Sequence, residues 1–239
     1  MIEDSIADSC VPAEFRVALR KMGKRDSTTK IKALQEFLEL CDQASLDTLK
    51  AVLPFWPRIF SRIAIDEDRR VREGVHKAHS KLTSKVGRNL APCLKEIMGA
   101  WFTSQCDNYA PAASLASNSL RVCFPGEKLL DAILFCHNDI MQYIADSLFK
   151  HDNSSDEQKE RVLIGSMSGY SLLLQQLNVK QLETEKILKR HTELWNDSNL
   201  YKVVEKNSNL TIKQAWLGMI HNLIHYLPQV AKGMLINLS

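Results

Sequence analysis

A chain of 239 residues, 45% hydrophobic and 25% charged, has the composition of an ordinary globular protein. At this length roughly 70% of the unfolded surface is buried on folding, so the core requires neither disulfides nor metal. The net charge of +3 conceals an asymmetry: residues 16–95 hold 18 Lys or Arg against 9 Asp or Glu, while the rest holds 13 against 19. One end can therefore meet a phosphate backbone and the other cannot.

Met1-Ile2-Glu3-Asp4 has no basic region and no apolar run behind it, so no signal peptide is expected. The uncharged run 162–179 contains Ser166, Ser168, Ser171, Gln175, Gln176 and Asn178, too much polarity for a membrane span. A cytosolic protein without membrane contact is expected. Cys10, Cys41, Cys93, Cys106, Cys123 and Cys136 form no CxxC pair, which excludes zinc-ribbon and thioredoxin chemistry and leaves reduced, mostly buried thiols. Alternating strand patterns with Asn-Gly or Asp-Gly turns are absent, and helical periodicity is common, so the fold is read as all-α.

In chain order, residues 1–13 are weakly patterned. Residues 14–22 form a short helix with Phe15, Ala18, Leu19 and Met22 on one face, ended by Gly23. A helix over 27–43 follows, capped by Asp26 or Ser27, with Ile31, Leu34, Leu38 and Cys41 as its apolar face. Residues 45–63 are helical, with Pro54 and Pro57 inside the segment; the helix is bent or begins anew near Pro54, because proline deep in a helix removes a hydrogen bond. Asp66, Glu67 and Asp68 place carboxylates at the start of the most regular helix, 66–86, whose face is Val71, Val75, Ala78, Leu82 and Val86. Pro92 opens a helix to about residue 105. Pro111 opens another, with Ala112, Leu115, Leu120 and Val122 inward, stopped by Phe124-Pro125-Gly126. One helix is expected over 129–148. The polar stretch 151–158, HDNSSDEQ, reads as a loop or linker between repeats at 14–150 and 159–239. Helices over 160–177, 179–195, 200–206, 211–226 and 228–238 complete the chain, and the closing MLINLS reads as a cut end.

A spacing recurs. Asp66 precedes Val71-Arg72 by a four-residue gap, as Asp26 precedes Ile31-Lys32, Asn207 precedes Ile212-Lys213 and Asp107 precedes Ala112-Ala113. From Ile31 to Val71 is 40 residues, from Val71 to Ala112 is 41, and from Ala112 to Ile212 is 100. A period near 40 with paired helices is the HEAT/ARM pattern of an α-solenoid. A single helix pair cannot bury its apolar face alone, so neighbours stack. In this reading the carboxylate caps the second helix, the apolar residue packs between units, and the base pairs with a neighbouring unit's carboxylate.

Catalytic motifs are missing: the chain has no GxxxxGK, GxGxxG or GxSxG, and no cofactor is expected. His221 and His225 have the i, i+4 spacing of a metal pair, but without an HExxH glutamate or third ligand they read as structural, like His76 and His79. Trp56 and Phe55 read as core residues. The basic run around Arg20, Lys21, Lys24, Arg25, Lys30 and Lys32 is either a solvated helix face or a phosphate-contacting surface, with Asp26, Thr28 and Thr29 at the helix start. Arg58, Arg62, Arg69 and Arg70 extend that surface if the connections share one edge. Contacts of this kind position a protein on nucleic acid without reading sequence.

Three stretches carry a resemblance: LRKMGKRDSTTKIKALQEF (19–37), VLPFWPRIFSRIAIDEDRRVRE (52–73) and LAPCLKEIMGAWFTSQCDNYAPAA (90–113). Together they resemble the N-terminal region of the listerin family of RING-type E3 ubiquitin ligases, nearly without gaps from about Phe15 to about Leu148 and more loosely beyond. The resemblance implies a very long HEAT/ARM solenoid with a far C-terminal RING that recruits the ubiquitin-conjugating enzyme, acting in ribosome-associated quality control. It implies that this region is a docking module for the large ribosomal subunit, rRNA and proteins, and for nuclear export mediator factor. It implies no catalysis here, since no RING set of Cys and His occurs in these residues. The alternative left open is a general HEAT-repeat protein-binding scaffold unrelated to ribosomes.

Overall fold

A computed structural model describes residues 10–150, 155–205 and 207–237, with side chains as far as Gly233. All regular structure among the described residues is helical. The packing divides it into two compact units, one within Met1–Gln105 and Tyr109–Gly126, the other within Cys106–Asn108 and Glu127–Ser239.

The first unit holds α1 (Ala13–Met22), α2 (Ser27–Gln43), α3 (Leu46–Val52), α4 (Trp56–Ile63), α5 (Arg69–Val86), α6 (Leu94–Thr103) and α7 (Ala110–Cys123). The helices form two layers. The first helices of successive pairs, α1, α4 and α6, pack in order, and so do the second helices, α2, α5 and α7. This is the arrangement a 40-residue helix-pair repeat dictates, because each pair covers the apolar face of the one before.

Local sequence explains the elements. Leu53–Phe55 is a 3-10 turn between α3 and α4, placed by Pro54, so of the two readings the helix begins anew, at Trp56-Pro57. On α5 the buried stripe is Val71, Val75, Ala78, Leu82 and Val86 as read, but it widens to include Arg72, His76, His79 and Thr83. On α2 the stripe is rotated from the expected one. Ala33, Leu34, Phe37 and Cys41 are buried, whereas Ile31 and Leu38 are half-buried. On α7 the buried side is Ala112, Ala116, Ser119 and Leu120, and Val122 points outward at 74% exposure, against expectation. Gly74 marks a close approach of α5 to α2: a Cβ there would lie 3.1 Å from Leu34 Cδ1.

A continuous aromatic column ties the layers. Phe15 meets Phe37 edge-on at 5.5 Å, Phe37 stacks on Trp56 at 4.8 Å, Phe60 lies 4.4 Å from His79, and His79 meets Trp101 edge-on at 4.2 Å. Trp56 Nε1 donates to His79 Nδ1 at 3.0 Å, which explains a fully buried histidine at an apolar position. Burial, and then the neighbouring His76, hold His79 well below the usual imidazole pKa, so it is neutral.

The second unit holds α8 (Lys128–Phe135), α9 (His137–Phe149), α10 (Asp156–Gln176), α11 (Val179–Leu182), α12 (Glu185–Asn196), α13 (Ser198–Glu205), α14 (Leu210–Tyr226) and α15 (Pro228–Asn237). Again α9, α12 and α15 pack in order, while α10 packs along α14. The single helix expected over 129–148 is interrupted at Cys136, where the backbone leaves helical geometry. Of the polar stretch 151–158, residues 151–154 lie outside the described residues, and Asp156-Glu157-Gln158 form the first turn of α10, capped by Ser155. Residues 1–9 of the weakly patterned start, and 238–239 of the closing MLINLS, also lie outside them.

A buried polar relay organises this unit. Trp195 Nε1 donates to Tyr170 Oη at 2.8 Å. Tyr170 Oη lies 3.0 Å from His191 Nδ1, and His191 Nε2 lies 3.2 Å from His137 Nε2. An indole only donates, so the phenol oxygen accepts from Trp195, the phenol O–H donates a hydrogen bond to His191 Nδ1, and His191 donates through Nε2 to His137. Burial pushes His191 down to about 3 and His137 down to about 4.

Candidate docking surface

Two connections build the candidate surface of the first unit. In the α1–α2 connection, Asp26 caps α2: its Oδ2 accepts from Thr29 N and Thr29 Oγ1, both at 2.7 Å. The Thr29 hydroxyl and amide lower the Asp26 pKa, and Thr29 is thereby committed to the cap. In the α4–α5 connection, Asp66 Oδ1 accepts from Asp68 N at 3.0 Å, and Asp68 Oδ1 accepts from Arg70 N at 2.8 Å. The cap of α5 is thus Asp68, not the Asp66 of the recurring spacing. Asn207 and Asn209 repeat this double turn before α14, with Asn209 N bonded to Asn207 and Thr211 N to Asn209. The conserved distance is therefore cap to apolar residue: Asp68 to Val71 and Asn209 to Ile212, with Val71 and Ile212 fully buried. The Asp26 turn is a different device, with its cap two residues earlier in the repeat register.

The two connections are joined. Lys30 Nζ on α2 reaches Asp66 Oδ2 at 2.5 Å, with side chains 15% and 10% exposed. A Cβ on Gly23 would lie 3.1 Å from Arg62 Nη2, so the end of α4 lies against the α1–α2 turn. Lys30 thus bridges successive helix pairs. Arg72, buried at 3% exposure, donates from Nη1 to the carbonyls of Asp66 and Glu67 at 2.8 and 3.1 Å, closing its own turn.

This geometry sorts the candidate residues. Lys24, Arg25, Thr28, Lys32, Arg58, Arg62, Arg69 and Arg70 are exposed. Arg70 is held by Asp68, Nη2 to Oδ2 at 2.6 Å, and this guanidinium is the largest cause of the lowered Asp68 pKa. Arg69 sits 5.3 Å over the Tyr109 ring, and Tyr109 Oη donates to Glu73 Oε2 at 3.1 Å. Lys24, Arg25, Lys32, Arg58 and Arg62 make no ion pair among the described residues. Lys24, Arg25 and Arg62 are thus exposed cations at two connections joined by Lys30–Asp66, while Lys32 and Arg58 are exposed on α2 and on the first turn of α4. Tyr109 was not legible as part of this surface; its only signal was an aromatic residue at the cap position of the next repeat.

The other histidines offer no comparable site. His221 and His225 are exposed on α14 with ring centroids 6.5 Å apart, and no group of three His, Cys, Asp or Glu that could hold a metal occurs among the described residues. No helix among them is long and apolar enough to cross a membrane.

The family model for the N-terminal domain of E3 ubiquitin-protein ligase listerin matches residues 8–239. The chain belongs to the listerin family, as its N-terminal domain. Relatives named E3 ubiquitin-protein ligase listerin include those of Gallus gallus, 37% identical over 95% of this chain, and Mus musculus, 38% identical over 94%. The Drosophila melanogaster listerin is 30% identical over 91% of this chain. The chain spans 13% of the length of each of these relatives. Among solved structures, the TOG domain of human Cep104 aligns with a TM-score of 0.41 and 13% identity, over 87% of this chain and 94% of that one.

Proposed function

We propose that this listerin N-terminal domain is a non-catalytic docking module that holds a RING-type E3 ligase on stalled large ribosomal subunits, so that the nascent chain is ubiquitinated for degradation. The observation that carries the reading is the Lys30–Asp66 pair, which joins the α1–α2 and α4–α5 connections, with Lys24 and Arg25 exposed in the first and Arg62 exposed at the end of α4 beside Gly23. A fixed array of exposed cations suits rRNA phosphates, which give affinity and register without base reading. Family membership supports the ligase context, and nuclear export mediator factor is the protein partner that context brings. The setting is the cytosol, where the subunits are. Recruitment of a ubiquitin-conjugating enzyme belongs to a RING domain, and these residues contain no RING set of Cys and His.

The test is co-sedimentation with purified large ribosomal subunits, comparing the wild-type chain with Lys24→Glu/Arg25→Glu/Arg62→Glu. Lys30 is left intact because its reversal would set a carboxylate against Asp66. The reading expects the triple variant to lose binding while its helicity and melting are unchanged. Equal co-sedimentation of both chains would refute the basic edge as the docking element.

A further inference from the structure

On the first unit, a groove of about 530 Å³ runs between the α1 residues Ala13–Lys21 and the end of α2. Of the basic run, Lys21 alone lines it. Val17, 45% exposed, and Leu40 form its apolar floor. Glu14, Glu36 and Glu39 rim it. Lys21 is its sole base, and that ammonium is bound to Glu36 at 2.9 Å. Glu14 and Glu39 are exposed and make no ion pair among the described residues. The carbonyl end of α2 adds partial negative charge at Gln43.

We propose that this groove docks a basic amphipathic helix of a partner protein. The occupant follows from charge complementarity around an apolar floor. Two antiparallel helices offer a slot into which a third lays an apolar face read at i, i+3, i+4 and i+7. The α1 wall is roughly 12 Å long, which fits about two helical turns. Lysines or arginines flanking that face meet Glu14 and Glu39. Residues 1–9 of this chain have the wrong charge for the role, with Glu3, Asp4 and Asp8 and no Lys or Arg. The proposal does not rest on ribosome docking, since it uses none of the residues of the basic edge.

The experiment measures fluorescence anisotropy of a labelled Leu/Lys peptide patterned as an amphipathic helix, titrated with the full chain. Glu14→Lys/Glu39→Lys is expected to weaken binding about tenfold, as reversal of two rim charges does. The control Glu183→Lys/Glu205→Lys, on exposed acids of the second unit, is expected to bind as wild type. Val17→Asn is expected to weaken binding several-fold with its salt dependence retained, since it alters only the floor. No measurable binding by the wild-type chain overturns the proposal. So does equal loss in the control pair, or full binding by Val17→Asn, either of which would make the interaction general charge attraction. A wild-type chain that dimerises and becomes monomeric in Val17→Asn would show a second copy on the floor, and would overturn it too.

Discussion

Lys30 and Asp66 form an ion pair between successive helix pairs, Nζ to Oδ2 at 2.5 Å, with both side chains largely buried. Thirty-six residues separate them, so the pair exists only when α2 and α5 are stacked. Removing Lys30 takes away a charge-assisted bond from Asp66 in a site of low water access. Lys30→Ala should cost about 2–3 kcal/mol, the worth of a charge-assisted bond in partial burial. Lys32→Ala, on the exposed side of the same helix, should cost almost nothing. Urea unfolding of the two variants separates these outcomes, and equal midpoints would remove the pair from any structural role.

Gly74 tests the stacking itself. The first atom of any side chain placed there meets Leu34 Cδ1 at 3.1 Å, where α5 approaches α2. Leucine can yield a few tenths of an ångström to a methyl group, but not to a branched side chain. Gly74→Val should therefore destabilise by about 1–3 kcal/mol through overpacking and lower helix propensity. Gly74→Ala should be close to neutral, with the helix propensity gained offsetting the squeeze. Thermal melts of both variants check the difference.

Much of this architecture was legible in the sequence, and the exceptions have physical causes. The bounds of α2, the break at Pro54 and the stripe of α5 follow from caps, proline and 3.6-residue periodicity. On α2 the apolar residues form one wide face with Phe37 toward one side and Leu38 toward the other, so periodicity alone could not choose Phe37 over Leu38; the aromatic column made that choice. Val122 lies at the very end of α7, where no neighbour covers it. The break at Cys136 has no proline or glycine to announce it. At the candidate surface, the basic residues of both connections were visible as a composition. Which were already committed was not, because Lys30, Arg69 and Arg70 find their partners through tertiary approach or a turn whose cap lies two residues from the apparent one.

The relay of the second unit makes stability depend on acid. His191 at about 3 and His137 at about 4 titrate below the ordinary 6.5 of the unfolded chain. Below that value the unfolded state binds more protons, so their contribution is fully present above about 6.5 and is lost as pH falls toward the folded values. His137→Gln keeps an oxygen acceptor for His191 and removes one titrating site. Between pH 6 and about 4.5 its stability should fall less steeply than wild type, by about 1.4 kcal/mol per pH unit, the effect of one proton. Urea midpoints across that window measure the slope, and an unaltered slope would take His137 out of the acid response.

The central claim is that an array of exposed cations on one edge of the first unit meets RNA phosphates. Its most direct measurement is the affinity of the chain for purified large ribosomal subunits as a function of salt. Each phosphate neutralised releases counterions, so the logarithm of affinity should fall linearly with the logarithm of salt concentration. Lys24→Glu/Arg25→Glu/Arg62→Glu should lower the affinity and reduce that slope by about three contacts' worth, roughly 2 to 3. An affinity indifferent to salt, or a triple variant with the wild-type slope, would contradict the account.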